Sequence, residues 1–503
     1  MTWPLGVRTL LSLVWVVVCG LAVTAQEPSF EWTHYWQVPR DAWQKVVWDP
    51  PGKAVLDAAG RGDVGGAFSG GGTRAAAAAV GQLRGHHANG WLDRHVRYIS
   101  AVSGGSWTAV PFTYGDADVD ILLGTITSPG ELSKAVVEAE LPEGSLARSV
   151  ARSKLLAPGA AEAAKIWARA ELEQRDISSE IRSFTRRFVR GSTSQTYANG
   201  LGRLFIEPHV AEGTEFRYTW NEASMDAIKA LNPQLSLAEF IRAAEGRPFL
   251  IAGGTIIAPH PAREYPLLIP VEFTPLCTGM RQPFGNRLGG LYVSPYAYDV
   301  AVADQIDGDR LRVTPRGETR PFTLADVIAS SGAAPLLALS RGQPVSAATR
   351  GTAVFPSFSH FTVRERERGP AVQPLTESLL HGDGGFTDNL GVMPLLARGA
   401  KKVLVFVNGK EPFERSKPIE SMFWSLDQQE DIGGDRSLNA VFAPRRYWEL
   451  RDGLLEAVED GGATVYCGRN WTVQPNETSS GTFQTRAGDC PRRSRGLEHQ
   501  PIP

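Results

Sequence analysis

An α/β fold built on parallel strands is what this sequence predicts, and three stretches predict it. Each is a short apolar run; the first two stop at glycine or serine and then hand over to helix-forming residues, the pattern of a strand-turn-helix unit. Residues 64–68 run into Ser69-Gly70-Gly71-Gly72 and then five alanines from Ala75; residues 98–102 (Tyr-Ile-Ser-Ala-Val) run into Ser103-Gly104-Gly105. The third, Val403-Leu404-Val405-Phe406-Val407, is an unbroken apolar run, as expected of a parallel strand covered on both faces.

Taken in order, the chain opens with Arg8, an apolar run over 10–23 and the small residues Val23-Thr24-Ala25, which together read as a signal peptide over 1–25. Export to the outside or to the periplasm and cell envelope is the expectation, with a membrane anchor if the segment stays uncleaved. Trp32, Trp36, Trp43 and Trp48 crowd the next stretch, either as a lipid-facing surface or packed on the main domain. The domain proper is assigned to 26–470. Within it 73–88 reads as a helix whose Gly81 and Gly85 permit close packing, and the helix after Ser103 is expected to be short or kinked at Pro111. From about 115 to 245 Ala, Glu and Arg replace the strand patterns, which predicts an inserted helical cap. There Ile177, Ile181, Phe184 and Phe188 share one helical face and Arg182, Arg186 and Arg190 another. Such a helix lies on an anionic membrane surface or packs its phenylalanines against the domain. Strands resume over 248–257, 267–273 and 402–407. Beyond Gly468 the chain turns polar, and 471–503 is read as a frayed tail.

The composition excludes some functions. A formal net charge of −2 gives no basic excess for nucleic acid. No Cys or His spacing resembles a zinc site and no EF-hand loop is present, so no metal and no cofactor is implied. The four cysteines fit export: Cys19 leaves with the signal, Cys467 and Cys490 lie close enough in sequence to bridge, and Cys277 stays free.

The chemistry resides in three stretches. Ser103 follows a strand and is flanked by Ala101, Gly104 and Gly105, the small neighbours that a nucleophile elbow of G-x-S-x-G type requires, with Ala101 in place of the first glycine. An ordinary strand-to-helix turn has the same composition. The glycines at 70–72 let backbone N–H groups converge at a helix start, where an anion or a transient oxyanion is held; the Gly-Lys-Ser/Thr ending of a phosphate loop is missing. Asp383, in His381-Gly382-Asp383-Gly384-Gly385, is set for close approach by a partner or caps the next helix.

In this order the Gly-rich loop, serine elbow and Asp-Gly stretch resemble the patatin-like and cytosolic phospholipase A2 superfamily. Pro270-Val271-Glu272-Phe273-Thr274-Pro275 and Ala329-Ser330-Ser331-Gly332-Ala333-Ala334-Pro335 are similar to two further segments of that family, so the resemblance spans roughly 60 to 410. It implies a patatin-like three-layer α/β/α fold with a mainly parallel central sheet. It also implies a serine acyl hydrolase acting on phospholipid or lysophospholipid at a membrane surface. Ser103 would be the nucleophile and Asp383 its base, in a dyad without histidine. Gly71, Gly72 and Gly104 would supply oxyanion donors, and Arg74, of the Gly-Gly-Gly-x-Arg motif, would bind substrate phosphate or stabilise charge at the carbonyl. A neutral lipase or acyltransferase with the same dyad, and a non-catalytic lipid-binding protein of this fold, are the alternatives. A Ser-Asp-His triad in that order has only His499 to draw on after Asp383.

Overall fold

The computed structural model describes residues 30–38, 62–124, 126, 141–152, 196–258, 267–284, 288–315, 321–334, 355–364, 370–374, 378–408, 471–475 and 483–487. The segment 1–25, the amphipathic stretch around Ile177–Arg190, Cys467 and Cys490 lie outside them.

A 12-stranded sheet organises the molecule. Its strands are β1 (Glu31–Gln37), β2 (Val64–Phe68), β3 (Val96–Val102), β4 (Phe249–Ala258), β5 (Leu267–Phe273), β6 (Thr278–Phe284), β7 (Leu288–Val293), β8 (Val300–Asp307), β9 (Arg310–Pro315), β10 (Ser357–Phe358), β11 (Leu379–Asp383) and β12 (Lys402–Phe406). The order across the sheet is β8-β9-β1-β7-β6-β5-β4-β3-β2-β12, with β11 lying against β4 and β10 against β11. Only β12·β2, β2·β3 and β3·β4 pair in parallel, and the remaining pairs of the sheet are antiparallel. The sheet is therefore mixed rather than mainly parallel, and the candidate site lies where its parallel part meets the antiparallel strand β11.

Alternation along the central strands sorts their side chains onto two covered faces, as a strand period of two requires. Phe68, Ile99, Ala101, Leu250 and Ala252 pack with Ala76, Val80 and Leu83 of helix α1 (Gly72–Ala88) and Val110 of helix α2 (Gly104–Tyr114). Ala67, Tyr98, Phe249 and Ile251 face the other way, onto Leu390, Val392 and Leu395. The sheet is thus covered on both faces around β2, β3 and β4, by α1 and α2 on one and by the stretch from Leu390 to Leu395 on the other.

Four local expectations change. Gly81 and Gly85 of α1 meet nothing within 4 Å of a Cβ position, so they do not mediate packing; the buried stripe is Ala75, Ala76, Ala79, Val80 and Leu83. Helix α2 does not stop at Pro111 but runs on to Tyr114, and every one of its residues is buried. Such a helix is covered by the core on all sides. Strand β12 pairs only with β2 among the described residues, and its side chains are half-buried or exposed, so among those residues its apolar run lies at the edge of the sheet. Trp471–Pro475 pairs antiparallel with Phe483–Ala487 within the stretch read as frayed. Between 115 and 245 the described segments are mostly short helices, with two three-residue strands, Arg217–Thr219 and Phe240–Arg242, pairing in parallel. Strand β1, with Trp32 and Trp36, is built into the sheet between β7 and β9.

Candidate active site

Strand β4 brings together residues that are far apart in sequence. Its first half pairs in parallel with β3, ending at Val102 opposite Gly253. Its second half pairs antiparallel with β11, beginning at Asp383 opposite Gly254. Both partners lie along the same edge of β4 and run toward each other, so their C-terminal ends meet at the Gly253–Gly254 seam. Ser103 and Asp383 leave their strands there.

Ser103 Oγ donates to Asp383 Oδ2 at 2.6 Å across a separation of 280 residues. Ser103 precedes the first turn of α2 with φ 51° and ψ −124°, a left-handed backbone that a non-glycine residue adopts only under constraint. Its amide donates to Ser331 Oγ at 2.9 Å, and its carbonyl accepts from Ser106 Oγ at 2.6 Å. Ala101 pairs in register with Phe68 and Ala252 and is fully buried, so the elbow accepts a methyl where its usual signature has glycine. Gly104 does need to be glycine, because a Cβ there would run into the backbone of Gly72.

That contact shows where the Gly-rich loop lies. It crosses Ser103, with a Cβ on Gly70 coming within 3.1 Å of the Ser103 Cβ. Gly71 and Gly72 have φ of 143° and 63°, which only glycine adopts without strain. Three bonds pin the loop: Gly70 N–H to Asn389 O at 2.9 Å, Ser69 N–H to Phe406 O at 3.1 Å and Asn408 N–H to Ser69 Oγ at 2.7 Å. The Gly72 amide is at the start of α1, where the helix dipole favours negative charge. Arg74 is exposed on the first turn of α1, its guanidinium 3.3 Å from a Cβ position on Gly71.

Asp383 is 4% exposed and Ser103 5%. Burial pushes the Asp383 carboxyl up to about 6, against the lowering effect of the Ser103 hydroxyl and of the Gly385 N–H, which donates to Oδ1 at 2.8 Å. Burial, with the Asp383 charge adding to it, raises the Tyr197 phenol, whose hydroxyl donates to Gly332 O at 2.6 Å. Asp388, at the end of the short helix Gly385–Asp388, is also pushed up to about 6 by burial, but its oxygens are taken by the N–H groups of Gly391 and Met393 at 3.0 and 2.8 Å. It shapes the turn that follows.

No histidine bonds Ser103 among the described residues. His381 donates from Nδ1 to Leu379 O at 3.1 Å, so its Nε2 accepts from Tyr298 Oη at 2.8 Å. His360 stacks on it at 5.1 Å, and burial holds both rings neutral. The pair belongs to the aromatic core with Phe273, Phe322 and Phe358.

Compared with known proteins, the chain matches no family model and no curated protein. Among solved structures it is similar to human GIVD cytosolic phospholipase A2, at 14% identity over 89% of this chain and 53% of that one, with a TM-score of 0.35. The same human protein in complex with a methyl gamma-linolenyl fluorophosphonate inhibitor and terbium chloride aligns at 13% identity over 89% and 51%, with a TM-score of 0.28. The chain spans about half the length of these structures.

Of the residues singled out in the sequence, Ser103, Asp383, Gly71, Gly72 and Gly104 converge, and Arg74 lies beside the loop. Glu272 does not converge with them. It is buried in an ion pair with Arg398 at 2.8 Å, accepts from Tyr292 at 3.2 Å, and holds β5 against the 393–397 helix. Sequence reasoning missed Gly253–Gly254, Asn389 and Asn408. The paired glycines inside a strand were a usable signal, since glycine there marks an irregular or closely packed place in a sheet; a Cβ on Gly254 would meet the Phe273 ring. The adjoining cavity, of about 60 Å³ and lined by Ser100, Val102, Gly253, Gly384 and Asp388 among others, has room for a few waters and none for an acyl chain. No cluster suited to a metal ion occurs among the described residues.

Proposed function

We propose that this protein is a serine acyl hydrolase that cleaves fatty-acyl esters of phospholipids or lysophospholipids through Ser103 and Asp383. The observation that carries the proposal is the 2.6 Å bond from Ser103 Oγ to Asp383 Oδ2 at the end of a strand, with the serine in a left-handed conformation. An aspartate with its pKa near 6 is mostly ionised at pH 7 and still basic enough to take a hydroxyl proton as the nucleophile attacks.

In the first half-reaction Ser103 Oγ bonds to the acyl carbonyl carbon while its proton passes to Asp383. The carbonyl oxygen becomes an oxyanion, to which the amides of Gly71, Gly72 and Gly104 are assigned as donors. The ester C–O bond then breaks, and the leaving glycerol alcohol takes the proton from Asp383. In the second half Asp383 takes a proton from water, whose oxygen attacks the acyl-enzyme. The fatty acid leaves as the proton returns to Ser103. Arg74, exposed beside the loop, is assigned to the substrate phosphate. Export through residues 1–25 and contact with a membrane surface belong to the same reading. No described helix is long and apolar enough to cross a membrane.

The test is a lipid panel of phospholipid, lysophospholipid and triacylglycerol on the wild type and Ser103→Ala, with fluorophosphonate labelling read by peptide mass spectrometry. Fatty-acid release from phospholipid or lysophospholipid and an adduct on Ser103, both lost in the variant, are expected. Lipid binding without release or adduct refutes the hydrolase and supports a non-catalytic lipid-binding protein. Release confined to triacylglycerol supports a neutral lipase.

A further inference from the structure

Ser331 closes helix α3 (Leu324–Ser331) and is fully buried beneath the dyad. Its hydroxyl accepts from the Ser103 N–H at 2.9 Å and donates to Gly253 O at 2.6 Å. Its own carbonyl accepts from the Gly384 N–H, next to Asp383, at 3.0 Å. One residue is thus bonded to the backbone of the nucleophile, to the seam strand, and to the residue following the base. The ladder does not reach this far: β2 ends its pairing with β3 at Phe68–Ala101, and β4 ends at Gly253–Val102. The Ser103 amide, turned away from both strands by a φ of 51°, relies on Ser331 for its partner. The end of α3 is itself held: Trp107 Nε1 donates to Ile328 O at 3.3 Å and Tyr197 Oη to Gly332 O at 2.6 Å. Ser330 is equally buried, yet its hydroxyl has no partner among the described residues.

We propose that Ser331 is the positioning residue of the site, fixing the elbow of Ser103 and the end of the Asp383 strand in one geometry. The inference rests on the acyl-hydrolase reading above. An attacking atom displaced by about 1 Å loses about 10²-fold in rate. Loss of the Ser331 hydroxyl frees the Ser103 backbone by a distance of that order without touching what binds substrate.

The experiment measures kcat and KM on a p-nitrophenyl fatty-acyl ester, fluorophosphonate labelling rate and thermal unfolding for wild type, Ser331→Ala, Ser331→Thr and Ser330→Ala. Ser331→Ala is expected to lower kcat and labelling by about 10- to 100-fold, with KM within about threefold of wild type. Ser331→Thr, which keeps the hydroxyl, is expected to recover most of that loss, and Ser330→Ala to match wild type. Should Ser331→Ala fail to fold, Ser331→Cys, of similar size but a weak donor, is read in its place. Wild-type kcat in Ser331→Ala or its substitute overturns the inference alone, as does an equal loss in Ser330→Ala. A wild type that neither hydrolyses nor labels overturns the acyl-hydrolase reading, and this inference with it.

Discussion

Asparagine at position 383 keeps the shape of the side chain and removes its charge, so Asp383→Asn separates what the carboxylate does for catalysis from what it costs the fold. Burial moves this carboxyl from the ordinary 3.8 to about 6. Each pKa unit is about 1.36 kcal/mol, so holding it ionised in place costs the folded state about 3 kcal/mol above pH 6. The folded protein binds this proton more tightly than the unfolded chain does. The cost is therefore absent below about pH 4, grows between 4 and 6, and is complete above 6. The amide can keep both contacts, with its oxygen accepting from Gly385 N–H and its NH2 donating to Ser103 Oγ. Asp383→Asn is expected to gain up to about 3 kcal/mol in urea unfolding at pH 7.5 and nothing near pH 4. Its hydrolysis and labelling are expected to fall by about 10²–10⁴-fold, as for loss of a general base. A variant less stable than wild type at pH 7.5, or a gain of the same size at both pH values, would refute the reasoning.

Three further outcomes follow from the same geometry. The acidic limb of kcat/KM for the wild type is expected to be half-maximal near pH 6, leaving about a tenth of the activity at pH 5; a limb near pH 4 would mean that Asp383 is not the base. Gly104→Ala drives a methyl into the Gly72 backbone and is expected to cut fluorophosphonate labelling by at least about 10²-fold through displacement of that loop, and unchanged labelling would remove the loop from the site. Burial pulls His360 down to about 3, so its folded ring stays neutral while the unfolded chain takes a proton below about 6.5. Stability is lost as pH falls through that window, by at most about 5 kcal/mol, and His360→Phe is expected to flatten the loss in urea unfolding at pH 4 relative to pH 7.

Much of the site was legible because its parts are local. A strand ending in Ser-Gly-Gly, and a strand ending in three glycines before alanines, each encode one backbone event within about ten residues. Residues 98–102 and 64–68 formed the strands expected of them. The apolar run at 403–407 misled on burial, because an outer strand half-covered by neighbours has the same composition as a central one. Gly81 and Gly85 misled for a related reason: glycine in a helix is read as a packing notch, and here both sit on an open face.

The meeting of Ser103 with Asp383 is the part no local pattern encodes, and β4 shows why. A parallel sheet would carry β11 past the seam in the same direction as β3, and its C-terminal end would project where β3's does, one strand over. Because β11 instead runs antiparallel along the edge that β3 vacates, the two ends meet head to head. Strand direction is set by the connections between elements, and nothing in the composition of His381-Gly382-Asp383 records it. What the sequence does carry is the permission: Gly104 and Gly384 have no Cβ to strike the backbone of Gly72 and Gly253, so two strand ends and a loop fit together. A β-carbon on Gly384 would strike Gly253 O, which forces the residue after Asp383 to be as bare as the residue after Ser103. The bareness of Gly104 and Gly384, more than the identity of the serine or the aspartate, is what lets these chain segments meet.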